Sequence, residues 1–536
     1  MKRILSILLI SLCTACSTNK NKSSIKQPTD LLVGTPKLTY EQLLEDHDSL
    51  VSYINQVSPI VSFNEEVRGI DFNRHARELR NQIQPKITIP EYLQIVEKTL
   101  NSAQDGHSNM LGSWHLDILK NNWIPSGFIK GIDTSSIQYG YKYADYLNKE
   151  FYTKLNLDLV YTSGQYYNLL PFSYAGKTYP ASMKLIGCND SDIHDYVKNR
   201  IEESSPLRWD RVNDRAYHEK FYKPSENYKK GYLKLVFLDK NNKTYKLHIK
   251  KNDTVTFLQE KNSVYGYNDE KSPIITHYFE EEKIFYAKLP MMVEAYGDSL
   301  SKRLEPIIYK NKVDAIVLDI RGNPGGSDNT YSNFLKKVVK DTLGQNVMVG
   351  RNFSPYNQKY FNINKDSVEN RTTHTFKIDA ATLKKPKMYY IVYPNFKFVV
   401  PDSLNYSFEG KIYVLQDRFI YSSASNLSNL AKNNDQLISI GETPDLLGGL
   451  QTNPTVLQLP HSKIIFRIES QIDFTDCKTP KDIFQNNVEY PVNYSIKELY
   501  SRITTKEDIF GKQFLLNNDP MFQKAVELEK LRKQDQ

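Results

Sequence analysis

The stretch from Val313 to Gly326 (VDAIVLDIRGNPGG) constrains the chain more than any other. Its first half is an almost unbroken β-branched and apolar run. Such a strand is stable only when both of its faces are covered, as in a sheet with helices on either side. The run stops at a polar, glycine-rich corner. Gly322, Gly325 and Gly326 are free to take positive φ there, and Pro324 fixes its own φ. Residues 328–340 then read as a helix, with Leu335, Val338 and Val339 apolar. A strand, a tight glycine turn and a helix start aim backbone N–H groups at one spot. That geometry suits an anion or a developing oxyanion, although an ordinary strand-to-helix turn reads the same way.

The wording of the turn is more specific than its glycines. Leu318-Asp319-Ile320-Arg321-Gly322-Asn323-Pro324-Gly325-Gly326 resembles the DLRGNPGG signature of the C-terminal-processing (tail-specific) serine protease family, which includes the tricorn protease core. The resemblance implies an α/β core of the ClpP/crotonase-like type and a peptide or protein substrate. It also implies an oxyanion-hole N–H from a glycine of this turn, here Gly325 or Gly326. Neither a metal nor an organic cofactor is implied.

The 536 residues suffice for two or three domains. The net charge of +8 is modest for that length and the basic residues are scattered, so no nucleic-acid partner is expected. At the start, Lys2 and Arg3 precede a short apolar run, Ile4 to Leu12, which is too short for a mature membrane helix. It ends Leu12-Cys13-Thr14-Ala15-Cys16. This resembles a bacterial lipoprotein signal cleaved before Cys16, which would carry the lipid and tie the protein to a membrane. Cys13 stands where the pattern usually has Leu. Ser17 rather than Asp follows, which points to the outer membrane in a Gram-negative host. Residues 17–35 are polar and aperiodic, a tether. Beyond the signal only Cys188 and Cys477 remain, free or paired with each other.

Residues 36–119 read as an N-terminal helical bundle. Residues 120–280 read as a β-rich region, either a diverged PDZ-like peptide-binding module or an insert that shapes a cleft. Residues 281–500 form the α/β core, with strands at Lys283–Leu289, Met388–Tyr393 and Lys411–Gln416 and an irregular excursion over 341–386. Residues 501–536 are a helical tail, its last helix strongly charged and expected to be exposed.

After the Lys411–Gln416 strand comes Asp417-Arg418-Phe419-Ile420-Tyr421-Ser422-Ser423-Ala424-Ser425-Asn426, opening a helix. A serine at a strand-to-helix corner is presented near a helix N-terminus, or merely caps it. The family word here is S-A-S-E. It maps the nucleophile to Ser423 and a further oxyanion N–H to Ala424, with Asn426 in place of Glu. A serine needs a base. The tail-specific branch uses a lysine, but none lies between Lys432 and Lys463. The tricorn-like branch uses a histidine, and Asp105-Gly106-His107-Ser108 resembles its D-G-H-T/S word, so the base maps to His107. The third, orienting group stays open between Glu469 and Glu489, with Gln485 as a polar substitute. Two functions follow: a lipid-anchored serine peptidase, or a peptide-binding protein on the same fold with its chemistry lost. A hydrolase of non-peptide esters has no residue-level support. Oligomeric state is left open.

Overall fold

A computed structural model describes residues 34–535, apart from 149–154, 204, 206, 211, 220, 222–231, 251, 263–271, 311, 364–387, 432–433, 445–454, 476, 478–479 and 485–487. The proposed lipid site at Cys16 and the residue Gln485 lie outside the described residues.

Helices α1 (Tyr40–Val57), α2 (Ile60–Arg68), α3 (Phe72–Arg80) and α4 (Ile89–Asn101) form the N-terminal layer. Their boundaries are chemical. Thr39 and Thr88 each close a capping box, with Gln42 and Glu91 respectively, and Asp71 caps α3. The bundle is not self-contained. Leu50, Ile54, Tyr92, Val96 and Leu100 pack against Leu457, Phe466 and Ile468 from the far end of the chain. Strand β1 (Asn109–Met110) follows the bundle and pairs antiparallel with that same distant segment.

The middle region builds a six-stranded antiparallel sheet between Leu159 and Ile249. Its Leu233–Leu238 and Thr244–Ile249 strands join through a turn in which Asn242 takes φ +61°. Cys188 lies in this region's core, while Cys477 packs with Phe63, Phe474 and Ile483. No disulfide joins the two, so that option is not realised. Burial pushes the Cys188 thiol up to about 12, which leaves it inert.

The core sheet is parallel through β2 (Ile284–Lys288), β3 (Ala315–Asp319), β4 (Lys411–Gln416) and β5 (Leu437–Gly441), with Ile275–Phe279 antiparallel at one edge and Tyr490–Pro491 parallel at the other. Alternate residues of these strands enter two separate cores. Phe285, Ile316, Leu318, Ile412 and Val414 face α5 (Glu294–Lys310), α6 (Asn329–Val338) and α7 (Ser423–Ala431). Tyr286, Val317, Tyr413 and Leu415 face α8 (Ile496–Thr504), α9 (Lys512–Asn518) and α10 (Pro520–Gln534). The continuous apolar run of β3 is the consequence: it has no solvent face.

Two expectations are corrected. The charged helix α10 is not exposed along its length, because Met521, Phe522, Ala525 and Val526 form a buried stripe against the sheet. The stretch 341–386 is not wholly irregular. Leu343–Asn352 is a strand that pairs antiparallel with Met388–Val399, and this ribbon stands outside the core sheet. No helix among the described residues is long and apolar enough to cross a membrane.

Candidate active site

The glycine turn that follows β3 is anchored from below by charged side chains. Asp319 accepts from Arg321 Nε at 2.9 Å and from Arg321 Nη2 at 2.5 Å, and Tyr286 donates to it at 2.7 Å. Arg321 reaches on to Asp519 at 2.7 Å and to the Tyr494 hydroxyl, and Arg502 meets the same Asp519 carboxylate at 2.7 Å. Lys288 donates to the Arg321 carbonyl. Burial alone would raise the Asp319 carboxyl, but Arg321 and Lys288 outweigh it and hold the group well below the usual carboxylate range. A fully buried set of charges therefore fixes the base of the turn to the C-terminal helices.

At the top of the turn Gly325 has φ +97° and Gly326 φ +136°. A Cβ on Gly326 would stand 2.1 Å from the Met292 carbonyl oxygen, and one on Gly325 would stand 2.5 Å from the Tyr421 carbonyl oxygen and 2.9 Å from the Ser423 nitrogen. Both positions therefore demand glycine. The Gly325 contacts also show that the turn packs directly on the corner carrying Ser423. Tyr421 N–H donates to the Asn323 carbonyl at 3.1 Å, which ties the two loops together.

Of the three amides singled out, two are engaged. Gly325 N–H donates to Asn323 Oδ1 at 2.8 Å, and Ala424 N–H to the Tyr421 carbonyl at 3.1 Å. Gly326 forms a parallel bridge with Met292 through its neighbours: Met292 N–H meets Gly325 O at 2.9 Å and Ser327 N–H meets Met292 O at 2.7 Å. In a parallel bridge the central residue's own N–H points to the other side. Gly326 N–H is thus left without an acceptor among the described residues.

Ser423 opens α7 directly after Ser422, which is held at φ +54°. A non-glycine residue in the left-handed region is unusual, and here it forms the sharp bend that starts the helix. Ser423 is 2 % exposed, and its hydroxyl makes no hydrogen bond among the described residues. Asn426, one turn on, donates to both oxygens of Asp328 at 3.0 and 3.1 Å. It thereby fastens α7 to the start of α6.

His107 arrives from the N-terminal layer by strand register. β1 pairs with β6 (Ile465–Ile468) so that Asn109 lies opposite Arg467 and Met110 opposite Phe466. Two more steps along the same register put His107 opposite Glu469. Nδ1 of His107 lies 2.9 Å from Oε2 of Glu469, with both side chains buried. The contact is close but does not meet the geometry of a hydrogen bond. The other Glu469 oxygen accepts the amides of Ser470 at 3.1 Å and Gln471 at 3.3 Å, which fixes the carboxylate. The His107 ring stands 5.2 Å from that of Tyr421, two residues before Ser423, and Tyr421 donates to the Gly106 carbonyl at 3.2 Å. Histidine loop, glycine turn and serine corner therefore meet around Tyr421.

Glu489 does not join them. It is exposed beside the Tyr490–Pro491 edge strand, with its N–H on Ser439 Oγ at 3.0 Å. Neighbours that sequence reasoning missed are Asp105, Ser108, Tyr421 and Arg467. Only Asp105 left a trace in the sequence: the spacing D-G-H-S is that of an Asx turn, whose side chain bonds backbone two and three residues on.

Residues 283–475 match the model of peptidase family S41. That match covers about a third of the chain. The S41 match spans the glycine turn, Ser423 and Glu469, and leaves His107 outside it. Among solved structures, the fold resembles mature CPAF complexed with lactacystin, at 11% identity over 93% of this chain and 99% of that one, with a TM-score of 0.53. Mature CPAF by itself gives 11% identity, 93% and 98% coverage, and a TM-score of 0.52. At such identity the likeness is one of fold. No curated protein matches the chain by sequence. No cluster of His, Cys, Asp and Glu suited to a metal occurs among the described residues.

Proposed function

We propose that this chain is a serine peptidase of the S41 type whose nucleophile is Ser423, whose general base is His107 and whose orienting carboxylate is Glu469. In the reaction, Ser423 Oγ attacks the peptide carbonyl carbon while His107 Nε2 takes the hydroxyl proton. The resulting imidazolium is balanced by Glu469. Collapse of the tetrahedral intermediate breaks the C–N bond, and the same proton passes to the leaving amine. Water then repeats the sequence on the acyl-enzyme. The oxyanion is assigned to Gly326 N–H, the open amide of the turn; Gly325 and Ala424 would serve only if their present acceptors let go. The observation that carries the reading is the approach of Glu469 to His107 in a corner that also packs on Tyr421 and, through it, on Ser423.

A peptide or protein substrate follows from the family. The lipid anchor at Cys16, and with it an envelope location at the outer membrane, rests on the sequence alone. Replacement Cys16→Ser, with release of the protein from the membrane fraction as the readout, tests it.

A second reading has its own support: a binding protein with the chemistry lost. Ser423 Oγ lacks a hydrogen bond to any base, and Asn426 stands where the family has Glu. Catalytic hydrogen bonds often tighten only in the substrate complex, so we favour the peptidase. A fluorophosphonate probe decides: covalent labelling of wild type but not of Ser423→Ala supports hydrolysis, and an unlabelled wild type that still binds peptide supports the second reading.

A further inference from the structure

We infer that Asp105 is a positioning residue for the catalytic base, the group through which the N-terminal helical layer sets the His107–Glu469 pair. The inference rests on the peptidase reading and adds a fourth side chain to it. Asp105 is fully buried. Its Oδ1 accepts the backbone amides of His107 at 2.9 Å and Ser108 at 2.6 Å. Its Oδ2 accepts the Ser108 hydroxyl at 2.5 Å and the Ser58 hydroxyl at 3.3 Å. The Ser108 oxygen in turn accepts the amide of Glu469 at 3.2 Å. One carboxylate thus grips the backbone of the base directly and the backbone of the orienting acid through a single hydroxyl.

The arrangement closes a ring: Asp105 to His107, His107 Nδ1 to Glu469 Oε2, Glu469 N–H to Ser108 Oγ, and Ser108 back to Asp105. Nothing in β1–β6 pairing alone would fix the imidazole so tightly, because the strand ends at Asn109, two residues short of the base. The ring supplies the missing constraint. It also explains the helical layer's part in the site. Ser58 sits between α1 and α2, and its carbonyl accepts Asn352 Nδ2 at 3.2 Å. Asn64 of α2 donates to the Ala103 carbonyl at 3.0 Å. The helices therefore hold the loop that holds the base.

The charges facing Asp105 are Glu469, His107 and Arg467, the last bonded through Nε to Asn109 at 2.7 Å. Burial first, and then the neighbouring Glu469 carboxylate, push the Asp105 carboxyl above the ordinary range, while its hydrogen bonds with Ser108 act the other way. An acid buried beside a second acid is retained at a cost, and its four donors are the compensation.

The test separates positioning from folding by splitting the two constants of covalent labelling. With the full chain and a fluorophosphonate probe, phosphonylation of Ser423 expels fluoride and passes the hydroxyl proton to the base. Asp105→Asn is expected to lower the maximal labelling rate about a hundredfold, with the probe's binding constant and the titre of labelled sites kept near wild type. A merely structural role would instead lower the titre and leave the rate of the surviving sites unchanged. Ser108→Ala, which cuts only the link to Glu469, is expected to lower the rate about tenfold and guards against a first variant that does not fold. A rate within about twofold of wild type in either folded variant would overturn the inference. So would loss of the fold in both. An unlabelled wild type would remove the peptidase reading itself, and is recognised before any variant is made.

Discussion

Two buried clusters of charge flank the glycine turn, and they are built in opposite ways. Beneath it, Asp319, Arg321 and Asp519 are joined by short, multiple bonds, Arg502 adds a bond to Asp519, and Lys288 stands 3.9 Å from Asp319. Beside it, Glu469 faces His107 through a single approach that is not yet a hydrogen bond, and the Ser423 hydroxyl has no partner at all among the described residues. A multiply bonded network resists change, because breaking one link leaves a buried charge uncompensated. An unsaturated corner has bonds still to make, which is what a site that must bind a transition state more tightly than its resting form requires. The first cluster holds the fold together, and the second is where the proposed chemistry would take place.

That contrast predicts which substitutions cost activity and which cost stability. The largest effect belongs to the open corner. Ser423→Ala or His107→Ala should lower hydrolysis or labelling by about a thousandfold or more. The thermal midpoint of Ser423→Ala should barely move, since the lost hydroxyl bonds to nothing. A large fall in stability for that variant would break the contrast. Next is Gly326→Ala. Its Cβ meets a backbone carbonyl, and its φ of +136° excludes an L side chain. Both stability and labelling should fall, and retention of full labelling would remove Gly326 as oxyanion donor.

The closed cluster is probed by Asp519→Ala, which strips Arg321 and Arg502 of their shared carboxylate. About 3–5 kcal/mol of stability should be lost in denaturant titration, as for other broken buried pairs. The effect must depend on pH in a defined sense. Asp519 is held below its ordinary value, by Arg321 and Arg502 acting against its burial. A depressed carboxyl stabilises the fold at pH values above its unfolded pKa, roughly 4. That contribution is lost as pH falls through the lower, folded value. The gap between wild type and Asp519→Asn should therefore be full at neutral pH and shrink below about pH 4. A gap that widened on acidification would mean the pair is not ionic. The smallest expected effect is that of Asn426→Glu, which introduces the Glu of the S-A-S-E word. It sets a carboxylate against Asp328, whose oxygens now receive the Asn426 amide. A loss of about 1 kcal/mol is expected, readable as a small fall in the denaturation midpoint.

The legible parts of the chain were those whose signals are local. The apolar run of β3, the glycine corner and the start of α7 each lie within a dozen residues, and periodicity and turn chemistry suffice to read them. Helix α10 was misread because its charges outnumber its stripe of Met521, Phe522, Ala525 and Val526, so burial depended on a sheet face that composition does not reveal. The ribbon from Leu343 to Val399 was hidden because its strand partners are separated by a long polar segment.

Local pattern, then, was enough to single out the glycine turn, to propose Ser423 and His107 as candidates, and to require a sheet covered on both faces. Which of the two acids, Glu469 or Glu489, stands beside His107 was beyond it. Both are single acidic residues in ordinary surroundings, and what separates them is an antiparallel register between Asn109 and Arg467 formed across most of the chain. The same holds for Asp105 and Asp519, whose carboxylates acquire meaning only from donors that folding brings to them. Hydrogen bonds and ion pairs act over a few ångströms, so the partners of a buried charge are decided by tertiary packing.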